Sequence, residues 1–360
     1  MRRLKIALVC PRNPAAVTTG LENLTMNMAR VFAKDGHATM IYATGDGAAQ
    51  NAAGTRTMSF RAVGPNFLSP GLFMALRKSE ADIIQVNGYN NFGMLSALLA
   101  KRRGQKLVLV PAISEGGSAL KKLAQKAFDA VVAAMSRKVD FVVSGSEYED
   151  AFFRNLFSTP KGNFEIIRYG IDTEAIKNAA GKPEPDRIIS VGRLVARKGF
   201  ERLVRAVAAA AKSNPGIRLA VIGEGPEGES LRKLVAELGI GRNVEFLGAI
   251  YDRARYLSEL KRASALVLLS EYPGTSLTFL EAWAAGIPVI TNMHSMAEHV
   301  RAKRVVGVDY NDIGGIAETI NMVLSDPEKY AAKNAEPLSW EEMGEKMLAI
   351  YGRLLEGGEA

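Results

Sequence analysis

In the stretch SEYPGTSLTFLEAWAAGIPVI (270–290), Gly274, Thr275 and Ser276 stand before an apolar run that contains Glu281 and closes on Gly286-Ile287-Pro288. A helix that begins around Ser276, Leu277 and Thr278 offers unpaired backbone N–H groups and the positive end of its dipole, a fit for phosphate. Glu281, about one turn in, can accept hydrogen bonds from the vicinal hydroxyls of a ribose. A first-turn acid favoured by the dipole is the competing structural reading. The segment SVGRLVARKGF (190–200) sets Arg193 and Lys198 five positions apart just past a strand-like run, with Gly192 and Gly199 beside them. Two fixed cations there can grip a diphosphate whose charge grows as its bond to a transferred group breaks. A solvated turn fits the same residues, since Arg197 shares the loop.

A second glycine pattern points elsewhere. VIGEGPEGESLRKL carries Gly223, Gly225 and Gly228 in a G-x-G-x-x-G arrangement after a strand and before a helix, the form of a dinucleotide site. Glu224, Glu227 and Glu229 would repel a pyrophosphate, and the loop follows the second strand of its domain rather than the first. A tight strand-to-helix turn is the reading favoured here. No Asp-x-Asp occurs to hold a metal-bound diphosphate, and the three histidines, His37, His294 and His299, do not cluster in sequence.

The elements that must position these residues alternate along the 360-residue chain. KIALVC, ATMIYAT, DIIQVN, KLVLVPA and DFVVSGS are separated by helical patterns; after the Pro-rich NAAGKPEPD (178–186), read as a linker, RIISVG, RLAVIG, NVEFLG, ALVLLS and PVITN repeat the scheme. Strand–helix–strand spacing of this kind predicts parallel sheets. The expectation is an α/β chain of two tandem Rossmann-like, doubly wound domains facing a cleft: an N-terminal domain over 1–177, a C-terminal domain over 178–338, and a final helix over 339–360 that crosses back to the first. Ligands of such sheets bind beyond the carboxyl ends of the strands.

Composition narrows the partners. The single cysteine, Cys10, permits no internal disulfide and suits a reducing compartment. No run approaches the roughly 20 apolar residues that span a bilayer, so a cytoplasmic location is expected, at the inner face of the membrane if the chain docks there. The formal charge of +8 lies in the first half, densest in KRRGQK (101–106) and LKKLAQKAFDAVVAAMSRK (120–138). The latter sets Leu120, Leu123, Ala127, Phe128, Val131 and Met135 on one helical face. That is a core-facing helix with a solvated back or, as the alternative, a basic amphipathic helix on anionic lipid. FLSPGLFMAL (67–76) adds apolar surface to this half. Basic segments without interleaved aromatics argue against nucleic acid.

Taken in order, TGLENLTMNMARVFAKDGH (19–37), DIIQVNGYN (82–90), VGRLVARKG, VIGEGPEGESLRKLVAELGIGRNVEFLG, LEAWAAGIPVI and the Trp340 region with its final helix resemble the group 1, or family 4, retaining glycosyltransferases of the GT-B fold. The resemblance covers most of the chain. It implies a metal-independent enzyme without a cofactor that takes a nucleotide diphosphate sugar, a UDP-sugar foremost, in its second domain. The acceptor, a carbohydrate or lipid-linked hydroxyl, would meet the first. It further implies that Arg193 and Lys198 contact the diphosphate, the 276–278 amides the phosphates, and Glu281 the ribose. Gly20 and Gly192 would allow backbone close to the donor. The family has two glutamates separated by seven residues; counting back from Glu281, the first falls on Pro273, and the nearest acid, Glu271, two positions early, is the catalytic candidate whose carboxylate would meet the donor sugar. Ala112 stands where members frequently carry a histidine, and Thr19 where they often pair a second glycine. Two other readings stay open: a family member that binds a sugar nucleotide without transfer, and an NAD-type oxidoreductase resting on Gly223, Gly225 and Gly228.

Overall fold

The computed structural model describes residues 2–14, 20–45, 51–52, 55–61, 69–89, 92–112, 119–271, 276–331 and 337–357. The chain forms two compact units, Met1–Gly170 with Leu338–Ala360, and Ile171–Pro337. Each is a Rossmann-like α/β layer around one largely parallel sheet.

The first sheet contains β1 (Lys5–Cys10), β2 (Ala38–Thr44), β3 (Asn51–Ala52), β4 (Thr55–Phe60), β5 (Ile83–Asn87), β6 (Lys106–Val110), β7 (Phe141–Ser144) and β8 (Phe164–Ile166). Their order is β3-β4-β2-β1-β5-β6-β7-β8, parallel except for the short β3 hairpin edge. The strands read as nearly continuous apolar runs because both faces are covered: every residue of β1 after Lys5 is buried. On one face Leu72, Leu76, Met94, Leu98 and Val132 pack from three helices, Pro70–Lys78, Phe92–Ala100 and Ala119–Met135.

The helix Trp340–Glu356 joins this unit by three devices. A capping box of Ser339 and Glu342 starts it. A Cβ on Gly344 would stand 2.4 Å from Val31 Cγ1, so the missing side chain permits close approach to the helix Gly20–Lys34. Farther along, the Tyr351 ring lies 5.7 Å from Phe32 and its hydroxyl donates to Gln85 Oε1.

The second sheet contains β9 (Arg187–Val191), β10 (Arg218–Ile222), β11 (Val244–Gly248), β12 (Ala265–Leu268), β13 (Val289–Asn292) and β14 (Val306–Val308), all parallel in the order β11-β10-β9-β12-β13-β14. Its core joins Ile188, Val204, Leu219, Val267 and Ile320. The Pro-rich segment 178–186 is no free linker. Glu184 receives Arg262 and Arg218, and its N–H donates to Arg262 O at 2.9 Å; Lys261 Nζ donates to Ala179 O at 2.9 Å. These bonds hold the segment inside the second unit, and the chain divides earlier, at Gly170/Ile171. Among the described residues no helix is long and apolar enough to cross a membrane.

Candidate functional site

Strand order locates the site. The second sheet grows from β9 to β10 and β11 on one side and restarts with β12 on the other, so the switch point lies between β9 and β12. In open α/β sheets ligands bind beyond the carboxyl ends of the strands at such a point, so the segments that follow β9 and β12 are the ones to consider. They are residues 192–199 and, as far as they are described, 269–271 with Ser276.

Backbone contacts fix both loops. Gly199 has φ +71°, and a Cβ there would meet Leu269 O at 2.3 Å. The amide of Glu271 donates to Arg197 O at 2.8 Å, and Lys198 Nζ donates to Ser270 Oγ at 3.3 Å. Glycine at 199 therefore lets the two loops touch main chain to main chain. On the far side, Leu194 N–H donates to Glu224 O at 2.9 Å. Cβ atoms on Gly223 and Gly225 would lie 2.0 Å from Gly192 O and 2.3 Å from Leu194 O. The dinucleotide-like glycines thus serve a loop-to-loop contact that braces the segment bearing Arg193.

The side chains on this frame differ sharply in their partners. Arg193 is exposed, and its guanidinium makes no hydrogen bond or ion pair with any described residue. Lys198 is half-buried; burial, and then the charge of Arg197, push its ammonium below the ordinary lysine pKa. Glu271 is exposed. Asn292, buried at the end of β13, donates to Ser270 O at 3.0 Å and accepts from His294 N–H at 3.1 Å, steadying the second loop.

The helix Leu277–Ala284 is capped by Ser276, whose Oγ accepts from Phe279 N–H at 3.1 Å. The N–H groups of Ser276, Leu277 and Thr278 have no partner among the described residues. Pro273, Gly274 and Thr275 lie outside the described residues. Glu281 is 4% exposed. The Tyr256 hydroxyl donates to its Oε2 at 2.6 Å, and Arg253 Nη1 pairs with Oε1 at 2.7 Å. Burial, and then the Glu281 charge, hold the Tyr256 phenol well above its ordinary pKa. Each carboxylate oxygen keeps lone pairs for a further donor.

Arg253 and Tyr256, three positions apart on the helix Arg253–Lys261, were not singled out from the sequence. Their spacing within DRARYL places them on one helical face, but nothing local says that this face meets Glu281. Gly20 belongs to the other unit, where it opens the helix Gly20–Lys34; a Cβ there would meet nothing within 4 Å. Thr19 lies outside the described residues. Ala112 follows β6 and is half-exposed. Of the remaining reactive groups, the Cys10 thiol is buried and pushed up to about 12, chiefly by burial, and His37 Nδ1 accepts Leu4 N–H at 3.2 Å, a structural bond.

Two family profiles match in tandem, glycosyltransferase family 4 over residues 18–175 and glycosyl transferases group 1 over 172–336. The chain belongs to the group 1 / family 4 glycosyltransferases. Glycogen synthase of Mycobacterium tuberculosis is 31% identical over 202 residues, 55% of this chain and 49% of that protein. The chain spans about half the length of the curated relatives it matches. Sucrose-phosphate synthase from Thermosynechococcus elongatus superposes with TM-score 0.79 at 21% identity, over 99% of this chain and 100% of that one. Anabaena HepE in complex with UDP-glucose gives 0.71 at 16%, over 99% of both chains. These likenesses show the GT-B type of fold.

Proposed function

We propose that the chain transfers a sugar from a nucleotide diphosphate sugar, a UDP-sugar foremost, to an acceptor hydroxyl, with retention at the anomeric carbon and without a metal ion. The observation that carries this reading is the pair of Arg193 and Lys198 on one βα loop at the β9/β12 switch point: one guanidinium without a partner, one ammonium held in partial burial. In this reading they neutralise the diphosphate as the bond from its oxygen to the sugar breaks. The free amides at 276–278 bind phosphate, and Glu281, oriented by Tyr256 and Arg253, accepts from the ribose hydroxyls. Glu271 reaches the donor sugar, and Gly20 and Gly192 leave room for donor and backbone. The acceptor oxygen attacks the anomeric carbon on the face the diphosphate leaves, and its proton passes to a departing phosphate oxygen.

The second unit is then the nucleotide-sugar side and the first the acceptor side. The acceptor is a carbohydrate or lipid-linked hydroxyl in polysaccharide or glycolipid synthesis, reached from the cytoplasm at an anionic membrane face. That HepE is seen with UDP-glucose at the same fold supports the choice of base. A dinucleotide reading loses its ground, because Gly223 and Gly225 are occupied by the loop contact. Ala112 and Pro273, at positions where the family carries polar groups, favour a second reading, sugar-nucleotide binding without transfer.

Calorimetric titration with UDP, GDP and ADP tests the proposal. UDP is expected to bind and the Glu281→Ala chain to lose at least tenfold in affinity, a lost charge-assisted bond of about 1.4 kcal/mol or more. Binding by none of the three overturns it. UDP binding without release of sugar from any UDP-sugar selects the second reading.

A further inference from the structure

Two of the chain's three histidines are spent inside the fold. His37 is 7% exposed and accepts the Leu4 N–H; His299 is 1% exposed, its ring 4.5 Å from that of Phe279. His294 is exposed, and its imidazole has no partner among the described residues. It stands directly beyond β13, the neighbour of β12. Because these strands are parallel, His294 lies on the same carboxyl edge as Arg193, Lys198 and Glu271.

The main chain around it is fixed. Met293 N–H donates to Val308 O at 3.0 Å, His294 N–H to Asn292 Oδ1 at 3.1 Å, and Ser295 N–H and Oγ to Asn292 O at 3.1 and 3.0 Å. Asn292 Nδ2 in turn donates to Ser270 O at 3.0 Å, while Ser270 Oγ accepts from Lys198 Nζ at 3.3 Å. One amide side chain therefore ties the His294 turn to the segment that carries Glu271, the residue after Ser270. A ring without a partner on a braced turn is preorganised for a ligand.

Its chemistry says which part of a ligand. The other groups of this edge work in one direction only: the Arg193 guanidinium, the Lys198 ammonium and the amides at 276–278 donate, and the Glu271 carboxylate accepts. A neutral imidazole donates through one nitrogen and accepts through the other. A hydroxyl is likewise donor and acceptor, whereas a phosphate oxygen asks for donors, which the cations and amides already supply.

We propose that His294 hydrogen-bonds a hydroxyl of the sugar carried by the nucleotide and so helps to select which sugar is accepted. The inference rests on the proposed function for the nucleotide sugar and adds a residue that reads the sugar instead of the diphosphate.

The test separates sugar from nucleotide. The full chain, His294→Ala and His294→Asn are each titrated by calorimetry with UDP, UDP-glucose, UDP-galactose and UDP-N-acetylglucosamine. His294→Ala should leave UDP affinity at the parent value and weaken the best-bound UDP-sugar about fivefold to tenfold, the loss of one hydrogen bond. His294→Asn, which keeps a donor and an acceptor, should recover part of that loss. The side chain is exposed, so thermal unfolding should stay at the parent value. Diethyl pyrocarbonate adds an independent readout: in the native chain it should modify His294 and spare the buried pair, and the UDP-sugar should slow the reaction more than UDP does. Equal losses for UDP and UDP-sugar, no loss for either, a lowered unfolding temperature, or equal protection by UDP overturn the proposal. So does a parent chain that binds UDP but none of the UDP-sugars. A parent that fails to bind UDP at all instead removes the proposed function and this inference with it, so the two failures are told apart.

Discussion

Around β1 and β5, the switch point of the first sheet, polar side chains bind one another. Tyr351 donates to Gln85, Gln85 to Asn87 at 2.7 Å, Asn87 to Thr25 at 2.9 Å, and Arg12 pairs with the buried Glu22 at 3.0 Å. Beyond β9 and β12 in the second sheet, the backbone is locked by glycine contacts, while Arg193 and the amides at 276–278 have no partner among the described residues. One folding scheme therefore supports two designs. Buried polar groups that satisfy each other specify packing. Cations held on rigid main chain without a counter-charge are preorganised for an anion, and the rigidity comes from contacts that leave side chains untouched.

The largest test of that contrast is Arg193→Ala or Lys198→Ala. Each should lower the transfer rate about a hundredfold to a thousandfold, read with a UDP-sugar, while thermal unfolding changes little. Full activity in either would end the distinction. Next come the glycines. Gly199→Ala forces a side chain at φ +71° into Leu269 O and should cost roughly 3 kcal/mol or more in denaturant unfolding. Gly20→Ala faces open space and should change stability by less than about 0.5 kcal/mol. Equal costs would mean that the two switch points are not built differently.

The smallest effect concerns pH. Lys198 titrates below the ordinary 10.5 because burial and Arg197 disfavour its charge. In the free protein the unfolded chain binds that proton more tightly, so stability gains as pH rises through the window between the lowered value and 10.5. UDP affinity should fall in the same window as the ammonium is lost, and Lys198→Arg should move the fall higher. Calorimetry across alkaline pH would show it; an unchanged midpoint would remove Lys198 from the anion site.

The alternation of apolar runs with helical patterns was enough to give two parallel α/β sheets, since strand period and helix period are local properties of side-chain type. The residues proposed here to meet an anion, at 193–198 and 276–281, could be picked out from the sequence as candidates, because charge, hydroxyl and glycine spacing are written along short segments. What sequence order could not give is which loops meet. That Gly223 and Gly225 serve the Arg193 loop, rather than a dinucleotide, follows from two main chains approaching within a distance no Cβ tolerates. That Arg253 and Tyr256 hold Glu281 depends on side chains brought together from distant segments. Those choices belong to tertiary packing, where burial and hydrogen-bond satisfaction, summed over the whole layer, override the pattern of any one helix.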